Sequence, residues 1–240
     1  TPEDVISYVA AITAHPGFIA TFAEDLRTPG VRVPLTADAD LWAAAVRVGR
    51  RVLWLHTRGK RCADVAAGRP DGPPQVAGER RPMVTTPIPG TPDQMPDELR
   101  YDPETLTLHV GDGAIAPVDP SVVAYEVGGT NVLRKWFGYR RATRPQARGE
   151  QSPLDDIRPT SWPSAYTTDL LELLHVLTLV VELEPQQADL LAQVMTRPRV
   201  TVADLTGAAV LPVPASARAP FSKKGAPKFA VGFEQGTLDD

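Results

Sequence analysis

Hydrophobic positions along the chain fall into three successive patterns. In the first sixty residues they recur at helical spacing. Thr1-Pro2-Glu3-Asp4 is a helix start, with a capping hydroxyl, a proline at the first helical position and acids in the first turn. Val5, Tyr8, Val9 and Ile12 share one face of that helix, and His15-Pro16-Gly17 breaks it. His15 is expected to hydrogen-bond at the break. Phe18, Ile19, Phe22 and Leu26 predict a second short helix, closed by Pro29-Gly30. Beyond an extended link, Val31 to Leu35, Thr36 is the expected cap of a third helix. Its stripe is Leu41, Ala45, Val48, Val52 and Leu55, widened by Trp42 and Trp54, with His56 near its end. Arg58-Gly59-Lys60 ends it.

From Leu99 the period becomes two. Leu106, Leu108 and Val110 alternate with Thr105, Thr107 and His109, and Gly111-Asp112-Gly113 turns the chain into a returning strand, Ala114 to Val118. Val122 to Val127 reads as a further strand and Arg80 to Val84 as an earlier one, so the middle of the chain predicts a small antiparallel meander. The helical period then returns. Thr167 or Thr168 caps a helix that is apolar over a wide arc (Leu170, Leu171, Leu174, Leu177, Val180, Val181), with His175 on its polar side. Pro185 opens a following helix with Leu190, Leu191 and Val194. The predicted fold class is α+β and loop-rich: an N-terminal helical pair, a small antiparallel β-sheet and a C-terminal helical pair.

One stretch carries both a core signature and a charge signature. After the Gly128-Gly129 turn, Val132, Leu133, Trp136 and Phe137 fall on one helical face, with Trp136 expected in the core. Arg134, Lys135, Arg140 and Arg141 lie around them, Arg144 and Arg148 extend the row, and no acid interrupts it between Asn131 and Gly149. A second acid-free basic stretch near the end holds Lys223, Lys224 and Lys228. Such rows are either solvated surface or a phosphate-binding face. The whole chain carries a formal charge of −4, so any nucleic-acid surface must be local.

Composition narrows the remaining choices. A chain of 240 residues with 42% hydrophobic content can build a sizeable core. The 25 prolines are about twice the usual share of roughly 5% and cluster between Pro70 and Pro120 and again from Pro212, which predicts loops and short strands there. One cysteine, Cys62, excludes an intrachain disulfide and fits a reducing, cytoplasmic compartment; no structural or catalytic role is expected of it. No uninterrupted apolar run reaches about 18 residues, so no membrane span is expected. The opening at a helix cap, without Met, predicts a piece of a longer protein.

Catalytic signatures are missing from the sequence. It contains no Walker loop, nucleophile elbow, His-x-x-x-His or Cys-x-x-Cys. Asp155-Asp156 is read as capping or ion-pairing, because adjacent carboxylates point apart. A self-sufficient enzyme is therefore disfavoured, and the chain itself is expected to be non-catalytic and without a cofactor of its own.

Four segments in order resemble the C-terminal specificity region of type ISP restriction–modification enzymes. They are Val31-Arg32-Val33-Pro34-Leu35-Thr36 leading to Leu53-Trp54-Leu55-His56, then Tyr125 to Arg140, then Ser152-Pro153-Leu154-Asp155-Asp156-Ile157, and Tyr166-Thr167-Thr168-Asp169-Leu170-Leu171. The resemblance spans about residues 1 to 200. It implies a target-recognition domain that reads double-stranded DNA for phage defence and follows an adenine-N6 methyltransferase domain. Nuclease and translocase domains would lie further upstream in the same polypeptide. It implies S-adenosylmethionine, ATP and Mg²⁺ for the parent enzyme, and none for this chain. On that reading residues 1–240 are one recognition unit, with a helical segment (1–59), a loop and sheet segment (60–142), a loop and helical pair (143–199) and a loop-rich tail (200–240). The expected DNA-binding residues are Arg134, Lys135, Arg140, Arg141, Arg144, Arg148, Lys223, Lys224 and Lys228. The alternative is a non-catalytic interaction module that docks a partner domain or subunit.

Overall fold

Helix α1, Pro2–Thr13, starts as its sequence dictates: the Thr1 hydroxyl accepts from the Asp4 N–H, and the Asp4 carboxylate accepts in return from Thr1. Tyr8, Ala11 and Ile12 are buried, whereas Val5 is exposed. After the His15-Pro16 break, α2 (Pro16–Thr21) buries Phe18. His15 is buried, but neither ring nitrogen has a hydrogen-bond partner, contrary to its expected role at the turn.

The third helix, α3 (Ala39–His56), is capped by Asp38, whose carboxylate accepts from the Asp40 and Leu41 N–H groups at 3.0 Å. Thr36 stands two residues earlier and accepts from the Asp38 N–H, so it supports the cap without supplying it. All five expected stripe residues, Leu41, Ala45, Val48, Val52 and Leu55, are buried. The α1 and α3 backbones meet at Gly49, where a Cβ would lie 1.6 Å from the Ser7 carbonyl oxygen. Tyr8 stacks on Trp42, and its hydroxyl donates to the Pro34 carbonyl at 2.8 Å.

The computed structural model describes residues 1–142 and 159–214. By internal contacts the chain divides into two units, Thr1–Arg199 and Val200–Asp240. Of the second, the described part is a short helix capped by Thr201, followed by a turn and a few irregular residues.

In the first unit, β1 (Met83–Thr86), β2 (Leu99–Asp102), β3 (Thr107–Val110) and β4 (Gly113–Ala116) form an antiparallel sheet in the order β1-β4-β3-β2. Leu108, Val110 and Ile115 point to the core side; Leu106, expected in the alternation, instead sits at φ +53 in the turn before β3. The strand expected over Val122 to Val127 is absent. Asp119 caps and Pro120 opens a short helix, α4 (Pro120–Val123), because cap plus proline outcompetes a short apolar run. Only Glu126–Val127 (β5) is extended, paired with Thr130–Asn131 (β6) across Gly128-Gly129, whose φ values of +57 and +74 suit a two-residue hairpin turn. Helix α5, Val132–Gly138, follows directly.

The expected C-terminal helical pair is one helix. α6, Ser164–Thr196, runs unbroken past Pro185 and begins before Thr167 and Thr168. An interior proline costs about 3 kcal/mol, and α6 offsets that by burying apolar residues in two cores. Leu170, Leu174 and Leu177 pack with the sheet, α4 and α5 around Trp162, Leu133 and Phe137. Val176, Val180, Leu183, Leu190, Leu191 and Val194 pack with α1 and α3. His175, expected on the polar side, is buried, and its Nδ1 accepts from the Val76 N–H at 3.1 Å. By length and composition alone α6 could cross a membrane, with a mean hydropathy of 1.3 over its most apolar window. Both cores of the first unit are built on it.

Candidate nucleic-acid interface

Helix α5 has seven residues, too few to hold its own conformation in water. Three devices fix it. At its start the Asn131 side chain accepts from the Arg134 N–H at 2.9 Å and donates to the Val123 carbonyl at 2.7 Å. Along one face Leu133 and Phe137 are buried in the second core. Beside that face lies a polar junction centred on Asp169, in the second turn of α6.

One Asp169 oxygen, Oδ2, accepts from the Trp136 indole N–H at 2.9 Å and from Arg140 Nη2 at 3.1 Å. The other, Oδ1, accepts from Arg58, which also reaches Glu172 at 3.1 Å. Arg58 is aimed by the end of α3: Arg58 and Gly59 adopt left-handed conformations (φ +51 and +80), and the Gly59 N–H closes onto the Trp54 carbonyl at 2.9 Å. Partial burial of the Asp169 carboxyl favours its neutral form, but the Arg58 and Trp136 hydrogen bonds and the Arg58 and Arg140 charges outweigh it and hold the pKa below the usual value.

Trp136, expected wholly in the core, is half-buried and has its edge toward Trp162, with ring centres 6.0 Å apart. The Arg140 guanidinium lies 4.2 Å from the centre of the Trp136 ring and 5.5 Å from that of Tyr166. It also donates to the Trp136 carbonyl at 3.1 Å. Arg140 is thus engaged on several sides inside the fold.

The neighbouring cations are placed differently. Arg134 and Lys135 project from the exposed side of α5 and make no ion pair among the described residues. Lys135 rests its ammonium 5.0 Å from the Tyr139 ring centre. Arg141 is exposed, with one nitrogen 3.3 Å from the Asp97 carbonyl oxygen. Arg144, Arg148, Lys223, Lys224 and Lys228 lie outside the described residues, as does the Asp155-Asp156 pair. Among the described residues no group of three or more His, Cys, Asp or Glu side chains is placed to hold a metal ion. Reading the sequence for charge missed Asp169 and Arg58, which lie 111 positions apart. The available signal was the pair Asp169 and Glu172, two acids three residues apart in the early turns of a strongly apolar helix.

Residues 1–173 match the Type ISP C-terminal specificity domain. The chain belongs to that family. The matched region takes in α1 to α5 and the first turns of α6, so the whole Asp169 junction lies within the family domain. No match is found among curated proteins. Among solved structures the chain is similar to a nuclease-deletion mutant of the Type ISP restriction-modification enzyme LlaGI, solved in complex with a DNA substrate mimic. The TM-score is 0.47 and the identity 17%, and the alignment covers 80% of this chain. This chain spans 13% of the length of that enzyme.

Proposed function

We propose that this specificity domain is a DNA target-recognition unit and that α5 presents its phosphate-binding face. The observation that carries the reading is the division of labour between one short helix of a Type ISP specificity domain and the turn that follows it. Arg140 is held inside by Asp169, Trp136 and Tyr166, while Arg134 and Lys135 stand outside without carboxylate partners among the described residues. A fixed helix carrying exposed cations gives directional attraction in a chain whose net charge is −4. Arg134, Lys135 and Arg141 would hold phosphates, with Arg144, Arg148, Lys223, Lys224 and Lys228 as further contacts. One or two of these arginines would read guanine edges. Arg140 is assigned a positioning role.

In the parent polypeptide the domain would set an adenine-N6 methyltransferase and a restriction nuclease on an asymmetric site in cytoplasmic DNA. S-adenosylmethionine, ATP and Mg²⁺ would be bound by the upstream domains. The experiment is duplex binding across a salt series. Each phosphate contact contributes about −0.9 to the slope of log K against log[salt]. Contacts from Arg134, Lys135 and Arg141 alone give about −2.7, and Arg144 and Arg148 with them about −4.5. A slope near zero, or equal affinity for a polyanion without bases at every salt concentration, would reject target recognition in favour of a protein-docking module.

A further inference from the structure

A hollow outside the Asp169 junction joins α5 to the sheet. β2 is an outermost strand, paired with β3 alone. The hydrogen-bonding phase fixes which of its backbone groups are free. The Gly111 N–H donates to the Glu98 carbonyl at 3.1 Å, and Arg100 stands opposite His109, so alternate residues from Glu98 onward bond to β3. Leu99 and Tyr101 therefore turn their N–H and C=O groups to the open edge. The start of α5 meets that edge: Leu99, Arg100, Tyr101, Asn131 and Arg134 all line one hollow of about 30 Å³.

Two arginines from different elements share this hollow. Arg100 lies on β2 and Arg134 in the first turn of α5, and both are exposed. The Arg134 backbone is fixed by the Asn131 cap. The Arg100 side chain is fixed by Glu98, whose carboxylate lies 2.9 Å from Nε and leaves both Nη groups without a hydrogen bond among the described residues. Arg134 makes no ion pair among the described residues, and no carboxylate is among the described residues that line the hollow. Two like charges on one hollow repel, and an anion between them removes that repulsion.

Size and chemistry select the ligand. Roughly 10–15 Å³ holds one water, so a hollow of about 30 Å³ takes one or two oxygen atoms and excludes a base. Guanidiniums and an edge N–H are all donors, which suits an anionic oxygen through charge-assisted hydrogen bonds. In a domain that handles DNA, that oxygen belongs to a backbone phosphate. We infer that the open edge of β2 and the start of α5 together hold one DNA phosphate. Arg100 and Arg134 meet its charge, and an edge N–H meets one of its oxygens. Arg100 is then a DNA contact that lies outside the cation row, on a strand whose position is fixed by its pairing with β3. The inference rests on the DNA-recognition reading above.

The test is binding of the whole chain to a panel of duplexes of differing sequence, across a salt series. Arg100→Ala should weaken binding about fivefold on every duplex, the size of one exposed ion pair. Its thermal midpoint should not move, because the side chain is 61% exposed. Glu98→Gln should strengthen binding, since it releases Arg100 and removes a negative charge. The count of phosphates separates a shared site from two separate ones. Arg100→Ala and Arg134→Ala combined should lower the salt slope by about 0.9 if both act on one phosphate, and by about 1.8 if each holds its own. A fall near 1.8 in the double variant, unchanged binding in Arg100→Ala, or a loss confined to one sequence would overturn the shared phosphate. If Arg134→Ala weakens binding and Arg100→Ala does not, only this site falls. If the wild-type chain shows no salt-dependent duplex binding, DNA recognition falls with it.

Discussion

Replacing Asp169 by Ala should destabilise the first unit by about 2–3 kcal/mol. The carboxylate accepts three hydrogen bonds, one from the Trp136 indole and two from arginines. A simple sum at about 1.5–3 kcal/mol for each charged bond would exceed 5 kcal/mol, but the geometry argues for less. The Asp169 side chain is 25% exposed and those of Arg58 and Arg140 37% and 27%, so solvent screens both ion pairs. Arg58 also retains Glu172. The term that solvent recovers least is the half-buried indole N–H, whose loss of its partner costs about 1–3 kcal/mol. The sign of the pH effect follows from the depressed Asp169 pKa. The ionised carboxylate stabilises the fold fully above its ordinary value of 3.8, and this stabilisation is lost as pH falls through the lower folded value. The assay is urea unfolding at pH 7 of wild type, Asp169→Ala, Arg140→Met and the double variant. A coupling of about 1 kcal/mol between the two positions is expected, with a thermal midpoint lower by roughly 4–10 °C in Asp169→Ala. A single variant within 0.5 kcal/mol of wild type, or additive losses in the double variant, would refute the junction as the element that fixes α5.

Three further outcomes follow from the same geometry. Gly49→Ala should cost at least about 1–3 kcal/mol, because its Cβ would collide with the Ser7 carbonyl and force α1 and α3 apart; an unchanged urea midpoint would contradict that close approach. Stability should fall as pH drops below about 6.5, since burial depresses the pKa of His15 and His175 and the unfolded chain therefore binds more protons; thermal midpoints that stay flat from pH 7 to 5 would contradict it. Arg141→Ala should reduce the salt slope of DNA binding by about 0.9 with little loss of stability, whereas Arg140→Ala should lower the unfolding midpoint; the reverse assignment of effects would exchange their roles.

The helical stripe of α3 and the alternation in β3 were legible because each is a local period that burial then reads out. The breaks were legible less often. Pro185 marks a helix start in a sequence taken alone, but in the fold the residues on both sides of it pack with α1 and α3, and tertiary burial carries the helix through. Val122 looks like a strand residue among Val122, Val123 and Tyr125, yet Asp119-Pro120 settles the local backbone first. His175 looked exposed because a helical wheel shows only one helix, and Val76, which donates to it, is 99 positions away. The cation row was legible as charge but not as roles, because nothing local distinguishes Arg140 from Arg141. That difference is made by Asp169 and Tyr166, both far along the chain from it.

The separation of roles bears on how such a domain would discriminate its target. A long, flexible cation meets phosphate at almost any position, and this supplies affinity without register. Register requires that the element carrying the cations be fixed to about half an ångström, and a seven-residue helix does not achieve this alone. In this chain the fixing group is a carboxylate on another helix, reached through an indole and a guanidinium that themselves pack against Trp162 and Tyr166. A change at Asp169 would then leave the number of cations and the salt slope nearly intact while lowering the preference for one sequence over another. A loss of affinity equal on all sequences would instead belong to Arg134, Lys135 or Arg141.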